Sequence, residues 1–216
     1  DFGIPGWNPY QFAGAPFTLA SYAIEGGGSK NYYATKRLMF GDPGLFRVLM
    51  EKLTTAIIDY LNAQIRAGAD AVQLFDSWVG CLSEHDYRTH VLPHVRRIFE
   101  SLDRSVPSIH FGTGNPSLYP AMAEAGGDVI GVDWRVDLPT AWDALGAKAM
   151  MGNLDPAYIL AEGRAMEDEV TRILEGVGPR PGHIFNLGHG IMPEADPARV
   201  RALVDHVHEV SARLRG

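Results

Sequence analysis

The chain has 216 residues, 46% of them hydrophobic and 21% charged, with a formal net charge of −7. That is the composition of a globular domain. The acidic balance argues against a nucleic-acid partner, although a local basic pocket can still hold an anion. One cysteine, Cys81, rules out an intrachain disulfide and a cysteine-rich zinc site. No apolar run is long enough to span a bilayer, and the opening DFGIPGWNPYQF lacks the basic start and apolar core of a signal peptide. The reading is a cytoplasmic protein with no membrane partner.

In chain order, PYQFAG (9–14) reads as a strand, with the GAPFTLASY loop after it. DPGLFRVLMEKLTTAIIDYLNAQIRAG (42–68) reads as a long helix, with Asp42 as N-cap, Pro43 at the first helical position and Gly68 closing it. Leu45, Leu49, Leu53, Ile57, Leu61 and Ile65 recur every four residues and predict its buried face. ADAVQLFD (69–76) is a second strand. DYRTHVLPHVRRIFESLD (86–103) is a helix with a kink expected at Pro93. VPSIHFG, GDVIGVDW, KAMMGNLD and GHIFNLG read as four further strands. Each is followed by helical sequence: NPSLYPAMAEAG, LPTAWDALG, DPAYILAEGRAMEDEVTRILEGV and DPARVRALVDHVHEVSARLR. Asp155-Pro156 and Asp196-Pro197 repeat the start signal of Asp42-Pro43.

Six β–α units with buried strands predict a parallel sheet covered by helices. A doubly wound sheet would show a glycine-rich first turn, and GTGNPS (112–117) is a poor version of it. A (β/α)8 TIM-type barrel needs about eight units. The expectation is therefore one barrel domain over 1–216, incomplete, with six units present.

In a barrel, site residues lie at the C-terminal ends of strands. Phe12, Asp76, Ser77, His110, Asp133, Asn153, Asp155, Asn186 and His189 all fall near predicted strand ends. His189 sits between Gly188 and Gly190, where substrate or backbone can approach closely. Asp155 reads first as a helix cap, and His110 and Asp133 read equally as core polar groups or site groups. His90 and His94 have i, i+4 spacing, but the zincin glutamate is missing. His206 and His208 are expected on the solvent face of the last helix. EGGGSK (25–30) is either a flexible loop or an anion cradle.

Taken together, FAGAPFTLASYAIEGGGS, QLFDSWVG, GVDW, GNLDP and FNLGHGI, in that order, resemble the uroporphyrinogen decarboxylase family over nearly the whole chain. The resemblance implies a distorted (β/α)8 barrel, usually a homodimer, acting without metal or prosthetic cofactor. The implied reaction removes the four acetate carboxylates of uroporphyrinogen III to give coproporphyrinogen III for haem synthesis. By matching motif, Tyr22, Ser77 and His189 fall on substrate-contacting positions and Phe12 on a pocket wall, with Tyr22 and His189 as the catalytic candidates. These donors would hold substrate carboxylates, and a histidine can also pass a proton near neutral pH.

The family's N-terminal third, with its substrate-binding arginines and aspartate, has no counterpart here, and Gln11 stands where a glycine is customary. This predicts association with a second copy or with a separate N-terminal segment; the lesser expectation is that DFGIPGWNPYQ fills the gap. Two alternatives remain at this point. The corrinoid methyltransferases share the barrel but bind zinc through a histidine and cysteines, and IHFGTG has no cysteine beside His110. The other is a non-catalytic barrel fragment that binds tetrapyrrole or only self-associates.

Overall fold

A computed structural model describes residues 10–216. Residues 1–9, most of the opening stretch expected to fill the gap, lie outside the described residues, while Gln11 belongs to the first strand. The strands β1 (Gln11–Gly14), β2 (Val72–Asp76), β3 (Ser108–Gly112), β4 (Val129–Gly131), β5 (Ala149–Leu154) and β6 (His183–Leu187) follow one another in the sheet in sequence order. The chain divides into two compact units, one ending at Ile130 and the other Gly131–Gly216.

In the first unit β1 pairs parallel with β2, Gln11 opposite Val72, and β2 with β3, Val72 opposite Ser108. The stretch read as the GAPFTLASY loop is a helix, α1 (Pro16–Glu25). Pro16 starts it, and Gly26 ends it in the left-handed region at φ 75°. Phe12 lies within β1, inside the strand read over 9–14. A further helix, α2 (Tyr33–Gly41), was not expected from the sequence. It is short, carries no side-chain cap, and enters through Tyr32 at φ 54°, so it lacks the usual start signals.

Helix α3 (Pro43–Arg66) begins as expected, with the Asp42 carboxylate accepting from Leu45 N at 2.9 Å. Its buried side chains are Phe46, Met50, Thr54, Ile57, Leu61 and Ile65, so the predicted face is right only from Ile57 onward. Leu45 is 55% exposed and Phe46 1%. The reason is geometric. At about 100° per residue a strict four-residue repeat drifts by about 40° at each step and cannot hold one face over six turns. The three-residue step from Thr54 to Ile57 resets it.

The expected helix over 86–103 is broken rather than kinked. Helix α4 (Glu84–His90) is capped by Ser83, and α5 (Leu92–Ser101) starts afresh with Pro93 in its first turn, after Val91 at φ −120°. Helix α6 (Tyr119–Ala125) follows β3, after a short 3-10 turn at Pro116–Leu118.

In the second unit β5 pairs parallel with β6, Met150 opposite His183. Helix α7 (Leu138–Leu145) is capped by Asp137. The long helix expected after β5 is a 3-10 turn, Pro156–Leu160, and then α8 (Ala165–Val177), with Gly163 at φ 67° between them. Asp196 caps the last helix, α9 (Pro197–Arg215). His206 does not face solvent: its Nε2 lies 2.9 Å from Thr171 Oγ1 and 3.1 Å from the Glu167 carbonyl, joining α9 to α8. His208 is exposed, as expected. Strands β2 to β5 are mainly buried, whereas β1 and β6, at the ends of the strand order, are partly open. No helix among the described residues is long and apolar enough to cross a membrane.

The corrected face of α3 has a direct check. Phe46→Ala is expected to lower stability by about 3–5 kcal/mol, the range for truncating a buried phenylalanine. Leu45→Ala should stay within about 0.5 kcal/mol, as surface changes do. Urea denaturation of the two variants measures both, and equal losses would contradict the burial assigned here.

Candidate functional site

In the first unit β2 delivers Asp76 and Ser77 to its C-terminal end. Asp76 is fully buried and Ser77 half-buried. Phe12 on β1 is 56% exposed and packs edge-on against Phe75, with ring centroids 5.4 Å apart. Tyr22, on the outer turns of α1, is 45% exposed and meets the Trp78 ring edge-on at 5.8 Å. Thr18, one helical turn before Tyr22, accepts a hydrogen bond from Trp78 N at 3.4 Å. The start of α1 is pinned to β2, because Ala15 N donates to the Phe75 carbonyl at 2.8 Å. The elements around the end of β2 therefore bring Tyr22 and the residue after Ser77 into contact.

Two residues of this cluster escaped the sequence reading. Trp78 lies between Tyr22 and Tyr32, with the Tyr32 centroid also 5.8 Å away. Tyr32 is 5% exposed and, at φ 54°, holds a left-handed conformation that costs a bulky residue on the order of 1–3 kcal/mol. Its N–H donates to Ser29 Oγ at 3.0 Å. Burial, followed by Cys81, Tyr22 and Glu25, pushes its phenol up to about 12, so it stays protonated as a donor. No periodicity marks such a residue; only its strained backbone does. The EGGGSK stretch is the exit from α1 and the support for Tyr32, with Gly27 and Gly28 in open space.

In the second unit His189 follows β6 and is exposed. Its two glycine neighbours differ. Gly188 is buried, its N–H donates to the Leu154 carbonyl at 2.7 Å, and a Cβ there would lie 2.8 Å from Trp134 N. A Cβ on Gly190 meets nothing within 4 Å. Close approach therefore explains Gly188 but not Gly190. Beneath this turn Asp133 is fully buried and accepts from Arg135 through both N (3.0 Å) and Nη1 (2.5 Å), while Arg135 lies over the Trp134 ring at 4.3 Å. Asn153 Nδ2 donates to the carbonyls of Asp133 (3.0 Å) and Val136 (2.8 Å).

The polar residues at strand ends thus form two sets. Asp76, His110, Asp133 and Asn153 are buried and face their own chain. Asp155 caps a 3-10 turn, accepting from Ala157 N at 2.9 Å. Asn186 is half-buried, its Oδ1 accepting from Leu187 N at 2.8 Å. Phe12, Tyr22, Ser77 and His189 keep surface to offer. His90 ends α4 and His94 belongs to α5, so the break at Val91 removes their helical pairing. They line a groove of about 550 Å³ with Phe46, Arg47, Pro93 and Arg97, and none of the four matched residues lies there. Among the described residues no three His, Cys, Asp or Glu side chains converge as a metal-binding set.

Residues 10–210 match the family model for uroporphyrinogen decarboxylase. The chain belongs to the uroporphyrinogen decarboxylase family. It is 54% identical over 202 residues to the uroporphyrinogen decarboxylase of Thermus thermophilus, a match covering 93% of this chain and 59% of the relative. It is 52% identical to that of Salinispora tropica, covering 94% and 55%. The chain thus spans less than two thirds of the length of these relatives. Among solved structures, a methyltransferase from Methanosarcina mazei superposes with a TM-score of 0.78 at 22% identity, over 93% of this chain and 58% of that one. A dihydropteroate synthase from Xanthomonas albilineans gives a TM-score of 0.52 at 15% identity, over 74% and 62%. At these identities the likeness shows the fold alone: a TIM-type α/β architecture, as the alternation of elements implied.

The unequal roles of the two glycines beside His189 can be measured. Gly188→Ala forces its Cβ onto backbone and should destabilise the chain by about 1–3 kcal/mol, while Gly190→Ala should be within about 0.5 kcal/mol of wild type. Thermal melts of the pair decide it; equal effects would mean that the packing of Gly188 on Trp134 is not tight.

Proposed function

We propose that the chain carries out uroporphyrinogen decarboxylation, converting the acetate side chains of uroporphyrinogen III to methyl groups and giving coproporphyrinogen III. The observation that carries this reading is the 54% identity over 93% of the chain to a uroporphyrinogen decarboxylase. It is supported by the accessibility of the four motif-matched residues, Phe12, Tyr22 and His189 exposed and Ser77 half-buried, while the neighbouring buried polar groups face inward. Loss of carbon dioxide needs an electron sink, and a pyrrole ring protonated on carbon provides one. The protein's tasks are to hold the carboxylates and to stabilise the cationic ring. In this reading Tyr22 and Ser77 donate to substrate carboxylates, Phe12 forms an apolar wall, and His189 donates to a carboxylate and is the candidate proton carrier with Tyr22. The residues need no metal or prosthetic group for these tasks, and nothing in the donor geometry favours the zinc-dependent methyltransferase alternative.

Anaerobic incubation with uroporphyrinogen III, with products separated by carboxylate number, tests the reading. Stepwise loss down to the tetracarboxylate is expected; the absence of both turnover and saturable binding would overturn the reading. His189→Asn keeps a donor but cannot become cationic. It should weaken substrate binding by on the order of 1.5–3 kcal/mol, one charge-assisted hydrogen bond, with thermal stability unchanged. A fall in stability with unchanged affinity would make His189 a structural turn residue instead.

We further propose a cytoplasmic homodimer. Among the described residues the partly open β1 and the exposed Tyr10 support self-association, since open parallel edges and apolar side chains favour pairing. Sedimentation at micromolar concentration should show twice the chain mass, and a compact monomer there would contradict it.

A further inference from the structure

Asp76 is the one carboxylate at the end of β2, and it is fully buried. His110 on β3 is also fully buried, with Nε2 3.9 Å from Asp76 Oδ2. The other ring nitrogen, Nδ1, lies 3.1 Å from the Met122 carbonyl. A carbonyl only accepts, so Nδ1 carries a proton and the ring is fixed with Nε2 toward Asp76. Tyr87 on α4 and Thr18 on α1 also act on the carboxylate through their hydroxyls, and Cys81 feels its charge from beyond. None of these groups meets it in hydrogen-bond geometry: both Asp76 oxygens, His110 Nε2 and Tyr87 Oη lack such a partner. Burial pushes the Asp76 carboxyl up; His110, then Tyr87 and Thr18, pull it back. Tyr87 is pushed well up by burial and by Asp76, so it remains a donor.

A buried carboxylate in so loose a cage is an expensive way to fill a core. Its position gives the reason. Asp76 is bonded to Ser77. It also lies two residues before Trp78, whose N–H donates to Thr18 Oγ1 at 3.4 Å and whose ring packs on Tyr22, one turn after Thr18 on the same helix. We propose that Asp76, backed by His110, is a positioning residue that sets the Ser77 and Tyr22 hydroxyls for the substrate carboxylates. It touches no substrate itself, being fully buried. The inference rests on the decarboxylase reading for its consequence, but not for its geometry.

The test uses Asp76→Asn, which keeps shape and removes the charge, with coproporphyrin III as probe, titrated by the quenching of porphyrin fluorescence. Asp76→Asn should weaken probe binding about tenfold with unchanged far-UV circular dichroism, and should have no further effect in a Tyr22→Phe/Ser77→Ala background, since it acts through those two groups. An equal loss in both backgrounds, or no loss in either, overturns the proposal. A second measurement reads the geometry without ligand: the Tyr22–Trp78 ring contact, seen by nuclear Overhauser effect, should be present in the wild-type chain and lost in Asp76→Asn. If the wild-type chain does not bind the probe, this contact alone decides the positioning role, and the decarboxylase reading stands or falls on the uroporphyrinogen assay; a contact that survives the substitution overturns the positioning role. Should Asp76→Asn not fold, His110→Gln, which keeps a donor but cannot carry charge, takes the same measurements, with a loss of about threefold expected.

Discussion

A parallel strand pair cannot be closed by a hairpin, and this constraint governs the molecule. Each strand must be followed by a crossover, and the crossover here is a helix that returns the chain to the start of the next strand. Within each unit the ladders of β1 to β3 and of β5 and β6 therefore run in one direction, and their C-terminal ends collect polar residues. The helices cover the sheet, which is why β2 to β5 are runs of buried residues with almost no polar alternation. The same constraint leaves β1 and β6, each paired on one side among the described residues, as the half-open strands.

Polar groups at such strand ends face two demands. Some must satisfy the backbone as the chain turns into a helix, and some are left to meet a ligand. Asn153 and Asp133 serve the first, holding the loop from Asp133 to Val136 through carbonyl and amide groups. Asp76 and His110 are of another kind, since they are buried without satisfying backbone amides. Buried polar groups with unmet hydrogen bonds are destabilising whatever their role. Tyr32 carries the same message in backbone form: a strained residue, packed on Trp78, beside the helix that bears Tyr22. Two independent costs thus fall on the cluster around Trp78. Both costs lie beside Tyr22 and Ser77, the residues proposed to hold substrate carboxylates.

Much of this architecture was legible in the order of residues. Asp-Pro pairs at 42, 155 and 196 mark helical starts because the carboxylate caps free N–H groups and proline needs no donor, and all three do so. The glycine-rich exit of α1 and the helix over residues 16–25 were harder to see, since Pro16 and the small residues of GAPFTLASY resemble loop chemistry. Helix α2 was invisible because it has neither a cap nor a wide apolar stripe. The buried face of α3 was displaced in its first half, where leucines at 45, 49 and 53 outweighed Phe46, Met50 and Thr54 in the pattern.

The sequence by itself determined the class of fold and the family, because these depend on local periodicity, capping chemistry and short ordered strings. The tertiary structure alone decided which polar residues are spent on the fold and which keep surface for a ligand. His110 and His189 are both histidines at strand ends, yet one is sealed between Asp76 and the Met122 carbonyl and the other stands open beyond Gly188. Their neighbours along the chain differ, glycines around His189 and Ile109 and Phe111 around His110, but these neighbours do not fix what closes over each ring. Burial is a property of residues brought together from distant positions, and Met122, Asp76 and Tyr87 reach His110 only once the helices have returned the strands to register.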